Sequence, residues 1–375
     1  MPTTLTPAQL ARDLAVRDLT DPAAGPHAIQ LVVDRAVDAL AGVSAVRRWP
    51  GDRVVTVADN YDNLGYAPAD VTRDARYTRY LDADRMLRSH SSALIPAALR
   101  ALAANPAGDV LLVCPGVVYR RDSIDRLHSG TPHQLDLWRI TRRPMGRADL
   151  EEQVGALLGT LLPGRRWRLD DRRHPYTVDG AQLDVEHDGA WVEVAECGLA
   201  APAVLARAGL GDGWSGLALG LGLDRMLMLL KGIPDIRLLR SAESAVAAQL
   251  LDLEPYRPVS LLPPVRRDLS IAVAADDLAE DLGDRVRDAL GPDADVVESV
   301  EILRATPCAD LPSQALARLG AGRDQKNLLV RLVLRPMGST LSDAEANVLR
   351  DRVHAALHRG GVHQWAAERP RRVGP

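Results

Sequence analysis

Val117-Val118-Tyr119-Arg120-Arg121-Asp122-Ser123-Ile124-Asp125, running on through His128 to Pro132-His133-Gln134-Leu135-Asp136, sets a charged segment between two apolar ones. Short apolar, β-branched pieces, Asp109 to Arg120 and Gln134 to Ile140, flank its polar centre, which predicts two antiparallel strands and a connecting loop. Arg120 and Arg121 stand at the end of the first strand. Activating a carboxylate with ATP brings one anion up to another at the α-phosphate, and a planar guanidinium held in place is the group that chemistry needs. A solvated hairpin with surface arginines would carry the same residues, so the stretch taken alone leaves both readings open.

Outward from it, Leu183 to Val194 alternates around Asp188-Gly189, a dipeptide favoured in tight hairpins, so an antiparallel sheet is expected in mid-chain. Leu223 to Lys231 reads as a buried helix ended by Gly232 and Pro234. Toward the N-terminus, Thr6-Pro7 offers a cap and a first helical position, and Ala28 to Leu40 is amphipathic after a break at Gly25-Pro26. Toward the C-terminus, Pro255, Pro258, Pro263 and Pro264 mark an extended linker. Beyond it come a strand (Arg267 to Val273), a helix (Leu278 to Leu290), two strands (Val296 to Leu303, Asn327 to Pro336) and a helix from Ser342 to Leu357 that opens on the capping-box pair Ser342 and Glu345. That order, with room for a last strand, predicts a ferredoxin-like βαββαβ domain. The fold class is therefore α+β: an N-terminal helical segment (1–45), a sheet domain (46–250), a Pro-rich linker (251–265) and the ferredoxin-like domain (266–375).

The 375 residues are too many for one ordinary core. Arg12, Asp13, Arg17 and Asp18 interrupt the N-terminal apolar residues, and no later run is long enough to span a bilayer, so a cytoplasmic protein without a membrane partner is expected. The three cysteines, Cys114, Cys197 and Cys308, lie too far apart for a paired-thiolate zinc signature. A net charge of −4 argues against a purely electrostatic nucleic-acid coat but permits local basic surfaces. Lys231 and Lys326 are the only lysines, and the chain contains no Phe beside its six Trp and seven Tyr.

The Tyr-Arg-Arg-Asp strand end leading to His133-Gln134 resembles motif 2 of the phenylalanyl type of class II aminoacyl-tRNA synthetase. Gly220-Leu221-Gly222-Leu223-Asp224-Arg225, continued by Lys231-Gly232-Ile233-Pro234-Asp235-Ile236-Arg237, resembles its motif 3. Leu87-Arg88-Ser89-His90-Ser91-Ser92 is similar to the family's amino-acid-holding segment, and Arg266-Arg267-Asp268-Leu269-Ser270 to the opening strand of its anticodon-binding domain. The layout is similar to the single-chain mitochondrial form. The resemblance implies a class II antiparallel sheet flanked by helices as the catalytic domain, with ATP and Mg2+ as cofactors and tRNA and an aromatic amino acid as partners, in a monomer or homodimer.

Position by position, it implies Arg120 and Arg225 as the catalytic arginines on the nucleotide, with Asp122, His128 and Pro132 completing the ATP site. His90, Ser92, Gln134 and Asp136 would hold the amino and carboxylate ends of the amino acid, and His174, Tyr176, Glu196 and Cys197 would line its side-chain pocket. Glu193 is the candidate magnesium ligand, with a solvated strand carboxylate as the alternative, and Arg266, Arg267 and Lys326 are candidates for tRNA contact. In the family, the amino-acid carboxylate attacks the α-phosphorus of ATP, and the 2′-hydroxyl of the terminal tRNA ribose then attacks the adenylate.

Three departures bear on the substrate. His174-Pro175-Tyr176 replaces a Phe-Pro-Phe segment, Glu196 replaces a small residue, and Pro132 stands where a Phe stacks on adenine. A carboxylate beside an aromatic pocket needs a partner, which a polar substrate group or His174 could provide. All the family Phe positions just named are substituted, which fits either avoidance of phenylalanine in an enzyme made when it is scarce, or drift in a paralogue. Three functions stay open on the sequence: charging tRNA with phenylalanine or a related aromatic amino acid, activating a modified amino acid for biosynthesis or resistance, and a non-catalytic tRNA-binding or regulatory module.

Overall fold

A computed structural model describes residues 4–43, 45–75, 77–258, 263–336 and 339–366. Among them are twelve strands: β1 (Ala45–Arg48), β2 (Val54–Thr56), β3 (Arg85–Leu87), β4 (Asp109–Val117), β5 (His133–Thr141), β6 (Trp167–Asp171), β7 (Thr177–His187), β8 (Ala190–Ala200), β9 (Ser215–Gly222), β10 (Val265–Ala274), β11 (Val297–Pro307) and β12 (Gln325–Leu334). Contacts divide the chain into two units, one of residues 1–120, 131–234 and 248–256, the other of residues 121–130, 235–247 and 257–375.

In the first unit the strands form a seven-stranded sheet ordered β1-β4-β5-β9-β8-β7-β6 and a small β2-β3 ladder. Every pairing in the large sheet is antiparallel except β1 with β4. The β7-β8 hairpin turns on Asp188 and Gly189, both at positive φ (50° and 79°), the left-handed conformation that this dipeptide tolerates. Helices Ile95–Ala104 and Pro202–Arg207 cover one face, where Leu99, Leu102, Val204 and Leu205 pack with Cys114, Trp138 and Ala218. Helices Ala28–Leu40, Arg147–Leu161 and Leu223–Lys231 pack together on β4, β5 and β8, the last two strands meeting Leu223–Lys231 and Arg147–Leu161 respectively.

The N-terminal segment is part of this unit rather than an appendage. Thr6 caps helix Pro7–Leu14 through a reciprocal box with Gln9. Buried Asp18 accepts from the Val117 amide at 3.0 Å and lies 3.6 Å from the Arg88 guanidinium, which itself donates to the Val117 and Pro50 carbonyls at 2.8 and 3.1 Å. Gly116, at φ 152°, leaves that guanidinium its room: a Cβ there would overlap Arg88.

The second unit contains a three-stranded antiparallel sheet ordered β10-β12-β11. Alternate residues of β10 (Leu269, Ile271, Val273) and β12 (Leu328, Val330, Leu332, Leu334) meet the apolar stripes of helices Ala279–Leu290 and Asp343–Leu357. The capping box on the latter is present, with Ser342 and Glu345 each accepting the other's amide hydrogen. The final strand of the expected βαββαβ order is not found among residues 358–366, and 367–375 lie outside the described residues, as do positions 259–262 of the linker.

The 121–130 loop, expected from the sequence within the 46–250 sheet domain, belongs by its contacts to the second unit. Ile124 is buried in that unit's core and its carbonyl accepts from the Val300 amide at 2.9 Å. Arg287 donates to the carbonyls of Asp122 and Ser123 at 2.5 and 2.7 Å, and Arg121 lies 3.4 Å from Asp284. A single apolar residue in a charged loop gives little sequence signal, yet its burial sets where the loop belongs.

Candidate functional site

Strand pairing gathers the candidate residues at one end of β4, β5 and β9. Val117 faces His133, and Gln134 faces Gly222, so Arg120 (three residues past β4) and Arg225 (three past β9) emerge at the same sheet edge. The edge is pinned from beneath: the backbone amide and the Nδ1 of fully buried His133 both meet the Asp224 carboxylate, the latter at 3.0 Å, and its Nε2 accepts from the Leu19 amide at 3.1 Å. Pro132, also buried, lends its carbonyl to the Val118 amide at 2.8 Å. Arg225 donates to the Glu193 carbonyl at 3.0 Å, and the carbonyl of Arg120 accepts from Arg79 at 3.3 Å. Asp122 and His128 belong to the second unit, where Asp122 accepts from the Ser123 amide at 3.0 Å and His128 Nδ1 lies 2.7 Å from Asp125.

On the sheet face that carries Trp138, Asp136 is the polar centre. Its carboxylate accepts from the Ser91 hydroxyl, from the Ser92 hydroxyl at 2.9 Å and from Trp138 Nε1 at 3.0 Å. Burial pushes this carboxyl up to about 6 in spite of those donors. Gln134, one row along, accepts from the Ser91 amide at 3.1 Å. His90 lies 3.4 Å from Asn60, itself held by Ser89, and burial lowers the imidazole to about 4, so it is neutral at physiological pH. Its Nδ1 is buried with no hydrogen-bond partner among the described residues.

Aromatic rings enclose this centre. Tyr66 stacks on His90 with centroids 5.8 Å apart and lies 6.3 Å from Tyr176, which in turn lies 6.1 Å from Trp138 and stacks on His174 at 5.5 Å. His174 Nε2 is 3.1 Å from the Glu196 carboxylate and Arg172 is 3.8 Å from it. Burial pushes the Glu196 carboxyl up, but His174, Arg172 and His90 outweigh it and hold the group below the ordinary carboxylate range.

Sequence reasoning thus brought His90, Ser92, Gln134, Asp136, His174, Tyr176 and Glu196 to one pocket. It missed Ser91, Asn60, Tyr66 and Trp138. Ser91 sits beside the chosen Ser92 in the same string and Trp138 two residues past Asp136 on the same strand, so strand alternation could have found the latter. Cys197 is a correction. It neighbours Glu196 on β8 with no bulge between, so it faces the opposite side of the sheet, buried, its thiol pushed up to about 12 by burial. Glu193 is exposed, and among the described residues no three His, Cys, Asp or Glu side chains are grouped to hold a metal ion. In the second unit Arg267 reaches Asn347 and Asp343 at 2.8 and 2.7 Å and Lys326 donates to the Asp277 carbonyl at 2.6 Å, which leaves Arg266 as the exposed member of that trio.

A mostly antiparallel sheet with arginines past the ends of neighbouring strands and a cluster of polar and aromatic side chains on its face is the class II synthetase arrangement. The family described as tRNA synthetases class II core domain (F) matches residues 13–250, and the chain belongs to it. Its relatives are of the phenylalanine type. It is 35% identical over 232 residues to the phenylalanine–tRNA ligase alpha subunit of Prochlorococcus marinus (strain MIT 9313), covering 60% of this chain and 68% of that protein. It is 28% identical over 317 residues to the chloroplastic/mitochondrial phenylalanine–tRNA ligase of Arabidopsis thaliana, covering 80% of this chain and 68% of the relative. No helix among the described residues is long and apolar enough to cross a membrane.

Proposed function

We infer that the chain is an ATP-dependent aminoacyl-tRNA ligase of the phenylalanine type, activating phenylalanine or a related aromatic amino acid and transferring it to the 3′-terminal ribose of tRNA, with ATP and Mg2+ as cofactors. The observation that carries this is the Ser91-Ser92-Asp136-Trp138 network beside Gln134 and His90, centred on β5, the strand that pairs between β4 and β9, past whose ends Arg120 and Arg225 stand.

Asp136 receives the α-ammonium, as a buried carboxylate whose hydroxyl donors leave it one strong unmet need, a cation. Gln134 and neutral His90 orient the carboxylate without trapping it in a full ion pair, so it can attack the α-phosphorus of ATP in line. Arg120 and Arg225 neutralise the charge that develops on the phosphate oxygens. The adenylate and pyrophosphate result, and the terminal ribose hydroxyl of tRNA then displaces AMP from the acyl carbon.

Pyrophosphate exchange into ATP that depends on phenylalanine or a ring-substituted analogue, followed by acylation of tRNA, tests the reading. Arg225→Ala should abolish exchange while leaving the fold intact. Exchange with no aromatic amino acid under any condition would favour a non-catalytic tRNA-binding module instead.

A further inference from the structure

Four side-chain positions lie in one row across the sheet. Gln182 pairs with Glu196, Glu196 with Gly220, and Gly220 with Asp136, so all four point to the same face. Strand spacing puts the Asp136 and Glu196 backbones about 10 Å apart. Between them Gly220 contributes no side chain: a Cβ there would sit 3.8 Å from Asp136 Oδ2 and 3.9 Å from the Glu196 carbonyl, with no backbone strain to require glycine. The next row on that face, Gly198, Ala218 and Trp138, is also small at its centre. The result is a slot with a carboxylate at each end and Tyr66, His90, Tyr176 and His174 around it.

One end is accounted for by the reading above, in which Asp136 takes the α-ammonium. An aromatic amino acid anchored there lays its ring over Gly220 toward Glu196. For phenylalanine this end is wrong chemically. A benzene edge would strip water from an ionised carboxylate and return no hydrogen bond. The existing partners do not use up Glu196. His174 Nε2 lies 3.1 Å from Oε2, whereas among the described residues the ion pair to Oε1 is the Arg172 guanidinium, at 3.8 Å and on a largely exposed side chain. A carboxylate has about four acceptor positions, so capacity remains. His174 stacks on Tyr176 and brings its Nε2 to 3.1 Å from the carboxylate at the side, a charge-pairing distance that leaves the slot open.

We propose that the pocket selects an aromatic amino acid whose ring carries a hydrogen-bond donor, a phenol or an arylamine, and that Glu196, positioned by His174, is the specificity-determining acceptor. The proposal rests on the synthetase reading and names the substrate class for it. The competing account is that His174 and Glu196 merely satisfy each other and the ring bound is plain phenyl.

The test is pyrophosphate exchange by the full chain with phenylalanine, tyrosine, 3-hydroxyphenylalanine and 4-aminophenylalanine. The expected result is a kcat/KM for at least one donor-bearing substrate about 10-fold or more above that for phenylalanine, since a site built to hydrogen-bond a polar group rejects the analogue that lacks it. Glu196→Ala should reverse that ratio toward phenylalanine, and His174→Ala should weaken it, with KM for ATP unchanged in both. Phenylalanine preferred by the unmutated protein overturns this inference and leaves the ligase reading standing. Exchange with none of the four overturns both. The substrate ratio of the unmutated protein decides the matter even if a variant fails to fold.

Discussion

Asp136→Asn separates amino-acid binding from every other property of the site. The carboxylate is 2% exposed, accepts from Ser91, Ser92 and Trp138, and is pushed up to about 6 by burial. Asparagine keeps the shape and one acceptor oxygen, so Ser92 and Trp138 retain a partner, while its amide can donate to the Ser91 hydroxyl. What disappears is the charge that meets the substrate's ammonium. A hydrogen bond to a charged group contributes about 1.5–3 kcal/mol, which corresponds to roughly 10- to 150-fold in amino-acid affinity. Stability should hold or rise, because a carboxylate whose folded-state value lies above its unfolded one is disfavoured when ionised inside the fold. The assay is pyrophosphate exchange with amino acid and ATP varied separately, alongside a thermal melt. An unchanged amino-acid KM, or an ATP KM that rises in step with it, would refute the assignment of Asp136 to the ammonium.

The same group predicts a pH dependence. Its folded value is raised, so in the free protein its contribution to stability falls as pH rises from about 4 through about 6; amino-acid affinity should run the other way, weakening as pH drops below about 6, and a flat affinity profile from pH 5 to 8 would contradict it. Gly116→Ala should lower stability by about 2–4 kcal/mol, because the added methyl overlaps the buried Arg88 guanidinium at a positive φ; Gly108→Ala, with nothing near its Cβ, is the control in a urea melt. Ile124→Ala should cost about 2–4 kcal/mol in the second unit and speed amide exchange at 121–128, since the side chain is 8% exposed in that unit's core; exchange rates matching the unmutated protein would show that the loop is held by its polar contacts rather than by this burial.

Much of the fold is legible in the chain because local rules and burial agree there. Thr6, the Asp188-Gly189 turn, helix Leu223–Lys231 with its Gly232 stop and the Ser342-Glu345 box lie where capping and turn chemistry put them. The candidate pocket was also legible in part, as strings in which His90, Ser92, Gln134 and Asp136 carry polar groups on apolar strands.

These elements and the polar residues of the candidate site can be read along the chain, because periodicity and motif are properties of neighbours in sequence. Tertiary structure alone decided which residues share a face. Cross-strand register put Glu196 and Asp136 in one row and turned Cys197 away, while packing outside the strands brought Tyr66 to His90. Burial of one isoleucine drew the loop bearing Asp122 and His128 into the second unit. Register and burial depend on residues far apart in the chain, whose pairing no local pattern specifies.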